Sequence, residues 1–513
     1  MNEQRMEQIV SLAKRRGFIW QGSEVYGGMR GTWDYGPLGL ALKRKIMNEW
    51  WEFFVENRED MFGVDAAIIM NPKVWRASGH VETFSDPLIE CNYCKSRYRF
   101  DNIIDEKSYH DFMNLVDRKA DLILEKQEKE LNEIEELIDR GGCDIDSLKK
   151  RIGRVESRDI VFDKFNVDDV VLGYKYTGKI PAYFLNNVAI YKCEKCGHCD
   201  WSEAKPFNMM FQTNVGAVVN ENSVAYLRPE TAQGIFTNYK NVVDSFYPSL
   251  PFGLAQQGKA FRNEISPRDF VFRSREFEQM EIEYFVHPET WQENFEKLLA
   301  DTLEFLTEKM GLSKEKIHLL EVPEEDRAHY SKRTVDLEFD FPIGKEELMG
   351  VAYRTDFDLG NIQRASGKNM EYTDKVSKDK FIPHVIEPSF GVERLLMAVL
   401  TQAYRQEEID GKVRTWLALS ENLAPTRIIV APLLKNKEAL VEKAREVYAV
   451  LKKKYGNVEF DLSGKIGKVY AKADEIGVPK VVVVDFDTIE NDGLVSVRNR
   501  DDASQVRVKI EEV

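Results

Sequence analysis

The stretch from Phe261 to Phe285 constrains the architecture of this chain more than any other. Phe261-Arg262-Asn263-Glu264 and the run Val271 through Phe285 both read as strands. The polar Ser266-Pro267-Arg268-Asp269 lies between them, so the spacing predicts an antiparallel hairpin. Side chains alternate across a strand. Arg273, Arg275, Phe277, Gln279 and Glu281 therefore share one face, and Met280, Ile282 and Tyr284 share the other, which can be buried. Arg262 and Glu264 likewise fall on one side of the first strand. Guanidiniums match phosphate oxygens, a flat ring stacks on a base, and a carboxylate accepts from an amine. A solvated face laced with ion pairs would account for the charges but not for Phe277 among them.

Three further constellations add to this. In Glu387-Pro388-Ser389-Phe390-Gly391-Val392-Glu393-Arg394 an extended segment ends at Gly391 and opens an apolar helix, with Arg394 in its first turn. A helix start with an added guanidinium suits an anion; an arginine paired to a neighbouring acid is the plainer alternative. Arg228-Pro229-Glu230-Thr231-Ala232-Gln233-Gly234 sets Glu230 at a strand-to-helix corner. Tyr353-Arg354-Thr355-Asp356-Phe357-Asp358-Leu359 alternates charge and ring. No phosphate-loop glycine motif, serine triad or zinc-protease helix is visible, so the chemistry stabilises phosphate charge without a protein nucleophile.

At 513 residues the chain exceeds one core, and two to four domains are expected. No apolar run is long enough for a bilayer and the N-terminus mixes both charge signs, so the expected compartment is the cytoplasm, with no membrane partner. A net charge of −15 argues against nonspecific coating of nucleic acid, while leaving room for a basic face that binds RNA. Cys91 and Cys94 form one C-x2-C pair, and Cys193 and Cys196 a second; Cys199 follows and Cys143 stands apart. Two such knuckles read as a structural tetrahedral zinc site, the alternative being four reduced thiols. The pairs bound an insertion, residues 91–205, whose charged middle at 110–155 predicts a helical arm. A helix is expected over Leu38 to Val55, with Leu42, Ile46 and Trp50 on one stripe, then a strand over Val64 to Met70. The last ninety residues alternate strands and helices, as in a small α/β binding domain.

In this order, the helix around Trp50-Trp51 with its following strand, Phe261-Arg262-Asn263-Glu264 with Arg273 and Phe277, and Gly391-Val392-Glu393-Arg394 resemble the three signature motifs of class II aminoacyl-tRNA synthetases. Trp33-Asp34-Tyr35-Gly36-Pro37-Leu38-Gly39, the Arg228 to Gly234 segment, Phe277-Glu278-Gln279-Met280-Glu281, Arg354 to Leu359 and Glu387-Pro388-Ser389 are similar to the homodimeric glycyl-tRNA synthetases. The resemblance implies an α+β fold: a class II catalytic domain on an antiparallel sheet flanked by helices, split between residues 1–90 and 206–420. It also implies an anticodon-binding α/β domain at 421–513 and dimerisation through motif 1.

It further implies ATP with Mg²⁺, glycine and tRNA(Gly) as partners. Arg262 and Arg394 become the catalytic pair. Asn263, Glu264, Phe272, Arg273, Ser274, Arg275, Glu276, Phe277, Glu347, Leu348, Gly391, Val392 and Glu393 join them around ATP, with Glu347 and Glu387 near the magnesium. Arg99 (or, in its place, Arg97), Glu230, Phe277, Glu278, Gln279, Met280, Glu281, Arg354, Glu387, Pro388, Ser389, Phe390 and Gly391 form the implied glycine set. Two rival readings stand beside this one: a synthetase-like accessory protein that binds nucleic acid without catalysis, and a class II synthetase for another small amino acid.

Overall fold

The computed structural model describes residues 2–100, 193, 195–198, 201–202, 205–218, 223–324, 327–328, 330–409, 411–491 and 493–513. The expected arm at 110–155, Cys143 and Cys199 lie outside the described residues. Two compact units emerge, Met1–His80 with Met210–Val513, and Val81–Met209.

The first unit is built on a seven-stranded sheet: β1 (Met61–Gly63), β2 (Phe252–Phe261), β3 (Glu276–Val286), β4 (Ile317–Glu321), β5 (Arg333–Phe341), β6 (Gly344–Thr355) and β7 (His384–Gly391). The order is β4-β5-β6-β7-β3-β2-β1, antiparallel except that β1 runs parallel to β2. On one face a large apolar core takes Met280, Ile282 and Tyr284 from β3 and Met349 and Val351 from β6, with Phe390 from β7. α1 (Pro37–Trp51) lies on that side, α2 (Ala232–Phe246) packs on the opposite, smaller core, and α3 (Trp291–Glu304) returns to the first. α4 (Phe357–Ser366) follows β6, and α5 (Val392–Ala403) begins directly after β7 with ten of its twelve residues buried, as an apolar helix enclosed by a core must be.

The hairpin is present, but its strands are set further apart along the chain than the sequence pattern suggests. β2 ends at Phe261 and β3 begins at Glu276, so Arg262, Glu264, Arg273 and Arg275 all belong to the connecting loop. The expected strand over Val64 to Met70 is also displaced. Pairing with β2 falls at Met61–Gly63, and the later stretch makes only one bridge, Ile69 to Leu227, before Asn71 caps a short helix at Pro72–Ala77. The stripe on α1 is as expected, with Leu42, Ile46 and Trp50 buried.

Two glycines are set by close approach. A Cβ on Gly39 would lie 1.8 Å from the Phe18 carbonyl, so the start of α1 can approach the backbone at Phe18 only as glycine. On Gly258 it would lie 2.3 Å from the Arg228 guanidinium.

The C-terminal part carries its own sheet of β8 (Ile428–Pro432), β9 (Val458–Phe460), β10 (Lys480–Val484), β11 (Val495–Asn499) and β12 (Gln505–Val508), ordered β9-β8-β10-β11-β12. β8 is parallel to both neighbours, with α6 (Glu438–Tyr455) and α7 (Ile466–Glu475) beside it. In the second unit Ser85–Glu90 pairs with both Arg97–Arg99 and Lys205–Asn208.

Candidate active site

The face of the main sheet turned away from the large core gathers the charged side chains. Glu281 and Ser389 are opposite each other on β3 and β7, and the Ser389 hydroxyl donates to Glu281 Oε1 at 2.8 Å. The Thr231 hydroxyl takes the other oxygen of Glu281. Arg354, at the end of β6, donates to both oxygens of Asp358 (2.8 and 3.0 Å) and to Glu387 Oε2 (2.8 Å). Its guanidinium lies 3.8 Å from the centre of the Tyr330 ring. Gln233 joins Asp358 (2.8 Å) to Glu230, whose second oxygen lies 3.4 Å from His80 Nε2. Glu230, Glu281, Arg354, Asp358 and Glu387 are all buried.

The charges in this cluster are sorted by their neighbours. Burial pushes the Glu230 carboxyl up, but His80, Arg354 and Arg262 outweigh it and hold it at about 2. Burial pushes Glu387 well up despite Arg354, and Glu281 and Glu230 push the same way. The two acids are thus shifted in opposite directions by their surroundings. A small cation with donors on several sides fits such a place.

Beyond this cluster lie the residues suited to phosphate. The Arg262 guanidinium is 5.4 Å from the Phe277 ring centre, and its Nε donates to the Pro229 carbonyl (3.1 Å). Arg394 lies over the Phe272 ring at 4.6 Å and pairs with Glu347 at 3.0 Å. Arg394 holds the half-exposed Glu347 carboxyl below its usual range, aided by Arg262 and Arg273. Three guanidiniums thus act on one acid, which marks a place where anionic oxygens and a cation can be exchanged. Asp336 on β5 is pushed up to about 7 by burial and by Glu347 and Glu338.

Several expected site residues are employed elsewhere. Met280, Phe390, Leu348 and Val392 are core side chains, because strand alternation and the buried side of α5 turn them away from the charged face. Arg275 donates to the carbonyls of Glu264 and Arg30, so it braces the loop. Glu393 accepts from Tyr35 (3.1 Å) and from the Glu278 backbone (2.9 Å), Glu278 pairs with Lys43, and Glu276 pairs with Lys259. Ser274 is buried and donates to the Val271 carbonyl. Glu387 is bonded to Arg354, whereas Glu347 pairs with Arg394. Arg99 lies in the second unit, where it pairs with Asp86 at 2.7 Å.

That unit brings the cysteines together. Cys91 and Cys196 Sγ are 3.6 Å apart and Cys94 and Cys193 Sγ 3.5 Å, and all four lie within 4.8 Å of one another. A disulfide needs about 2.05 Å. A tetrahedral ion at about 2.3 Å from each sulfur sets the sulfurs roughly 3.8 Å apart, so the donors fit zinc and not a pair of bridges.

Residues 213–403 match the family described as tRNA synthetase class II core domain (G, H, P, S and T), and residues 427–513 match the anticodon binding domain. Glycine–tRNA ligases of Caldanaerobacter subterraneus, Deinococcus radiodurans and Clostridium tetani are 42%, 43% and 42% identical to this chain, covering 99%, 99% and 100% of it and 96%, 97% and 97% of themselves. The chain belongs to the glycine–tRNA ligase family. A Giardia lamblia prolyl-tRNA synthetase in complex with prolyl-adenylate shares the fold, with a TM-score of 0.61 at 12% identity over 100% of this chain and 75% of its own. The class II fold, an antiparallel sheet with helices and a C-terminal anticodon-binding domain, is therefore as expected.

Some contributors to this ligase's cluster escaped sequence reading. Thr231 and Gln233 lie within the Arg228–Gly234 segment, and Asp358 meets Arg354 across the turn from the end of β6 into α4. His80 and Tyr330 carried no local signal, since only the folded chain brings them beside Glu230 and Arg354.

Proposed function

We propose that this class II synthetase activates glycine with ATP and transfers it to the 3′ end of tRNA(Gly). The observation that carries the reading is the charged side of the sheet, where Phe277, Glu281 and Ser389 stand on β3 and β7, Arg262 from the β2–β3 loop acts on Glu230, and Arg262 and Arg394 from the start of α5 act on Glu347. Adenine stacks on Phe277, with Glu264 near its amino group. The glycine carboxylate attacks the α-phosphorus, pyrophosphate leaves, and Arg262 stabilises the charge that develops, which is positioning plus electrostatics. Arg273 and Arg394 hold the outer phosphates, and Glu347 would help hold a magnesium ion, which would neutralise phosphate charge. The terminal ribose hydroxyl of the tRNA then attacks the acyl carbonyl and AMP departs.

The amino group lies against Glu230, Glu281 and Ser389, with Arg354 bracing Asp358 and Glu387. A yielding apolar pocket separates one methylene by only about 1–3 kcal/mol. Here the walls are hydrogen-bonded and buried, so an added methyl meets groups that cannot retreat without breaking bonds. ATP–pyrophosphate exchange is expected with glycine, and at least a hundredfold less with alanine, serine or proline. Exchange driven best by serine would transfer the chain to another specificity, and none with any amino acid would favour the binding-only reading.

The 427–513 domain is assigned to the anticodon, the protein to the cytoplasm, and the assembly to a dimer through the α1 region, which a solution mass of twice the chain would support. Among the described residues no helix is long and apolar enough to cross a membrane. Zinc at Cys91, Cys94, Cys193 and Cys196 would hold two turns together without an open coordination position. Purified protein is expected to carry about one zinc per chain; less than a tenth would mean four free thiols.

A further inference from the structure

Glu283 belongs to the same charged face. It is fully buried, and neither carboxyl oxygen has a hydrogen-bond partner among the described residues. A buried polar group left without a partner costs free energy, so its isolation has to be accounted for. On β3 it follows Glu281 by two and points to the same face. β3 and β7 pair with Glu281 opposite Ser389 and Tyr284 opposite Ile386. The same register carried across the intervening residues sets Glu283 opposite Glu387. Donor atoms of Glu281, Glu283 and Glu387 all lie within 4.8 Å of one another.

Two like charges opposite each other on one sheet face repel, and carboxylates sharing a dry site resolve this by keeping a proton between them. Glu281 has both oxygens taken by the hydroxyls of Thr231 and Ser389. Glu387 has Oε2 taken by Arg354, with Oε1 left over. The groups facing Glu283 are Glu281 from β3, Glu387 from β7, Arg354 from β6 and Asp358 from α4, and Arg354 is already committed to Asp358 and Glu387.

We propose that Glu283 is a positioning residue that shares one proton with Glu387, fixing the Glu387 carboxyl at the wall of the glycine subsite and removing one negative charge from it. Arg354 and Glu283 then hold Glu387 from two sides. Burial, and next Glu387, pushes the Glu283 carboxyl well above its ordinary range, in keeping with a neutral acid. This inference rests on the glycine reading of the site, but the pairing of the two carboxyls can be measured without it.

The sign of the pH effect follows from where the proton sits. An acid held neutral in the folded chain but free to ionise when unfolded loses stability as pH rises above the unfolded value, near 4.3 for glutamate. Glu283→Gln keeps the donor and has no proton to hold. Its melting temperature is expected to exceed that of the parent by a margin that grows from pH 5 to pH 8. Its infrared difference spectrum should lack one protonated-carboxyl band. Its glycine KM in pyrophosphate exchange should stay within about threefold. Glu283→Ala, which frees Glu387, should raise that KM at least tenfold with a smaller change in kcat. A glutamine variant with an unchanged band and a pH-independent melting difference would overturn the shared proton. An alanine variant with the parent KM would overturn the positioning role. If the parent shows no glycine-dependent exchange, the glycine reading fails, while the melting and infrared results still decide the proton.

Discussion

Arg354→Ala is expected to lower stability by about 3–5 kcal/mol, the usual cost of removing one partner from a buried ion pair. The reason lies in what it leaves behind. Asp358 and Glu387 are both buried, and Arg354 supplies two hydrogen bonds to the first and one to the second. Without it two buried carboxyls are left beside Glu283 with no cation between them. Glu387 can take up a proton, but Asp358 loses both of its strongest donors and keeps only Gln233. The transition of the catalytic part, followed by calorimetry, should fall by roughly 5–10 °C. Glycine KM should rise as well, because the wall of the subsite rests on this pair. Arg354→Lys should recover little of the loss, since a single ammonium cannot reproduce the fork that holds both oxygens of Asp358 while reaching Glu387. Parent-like melting and KM in the alanine variant would mean the network is ornamental.

The second large effect concerns the reacting phosphorus. Arg262→Ala is expected to slow glycine-dependent exchange by about 100-fold to 1000-fold, in the range seen when one preorganised donor to a developing negative charge is removed. Arg262 is held by the Pro229 carbonyl and lies beside the Phe277 ring, so its position does not depend on bound substrate. Such a group stabilises the transition state without first being ordered, and its loss should appear mainly in kcat. Stability should change little, because the guanidinium is only half-buried and its removal strands no buried acid: Glu230 still faces His80 and Arg354. Exchange at the parent rate would remove Arg262 from the chemistry.

What the sequence disclosed follows its periodicities. The period of two along β3 separated Phe277, Gln279 and Glu281 from Met280 and Ile282, and the change from extended chain to apolar helix at Gly391 placed Arg394 in the first turn of α5. Those are local patterns. Whether a given charge meets a ligand or another part of the chain is not local. Arg275 and Glu393 look like ligand residues until the fold supplies the carbonyls of Glu264 and Arg30 to one and Tyr35 to the other. The apolar Ile68-Ile69-Met70 suggested a strand, yet the sheet pairs Met61–Gly63, because a parallel partner some 190 residues away in sequence decides the register. His80 and the pairing of Glu283 with Glu387 depend on the same kind of long-range meeting.

The most direct examination is a crystal structure with a non-hydrolysable analogue of glycyl-adenylate. Its adenine should lie on Phe277, its phosphate substitute against Arg262, and its ammonium within hydrogen-bond reach of Glu230 and Glu281. An analogue bound with its amino group remote from both acids, or its adenine off the Phe277 ring, would contradict the assignment of this sheet face.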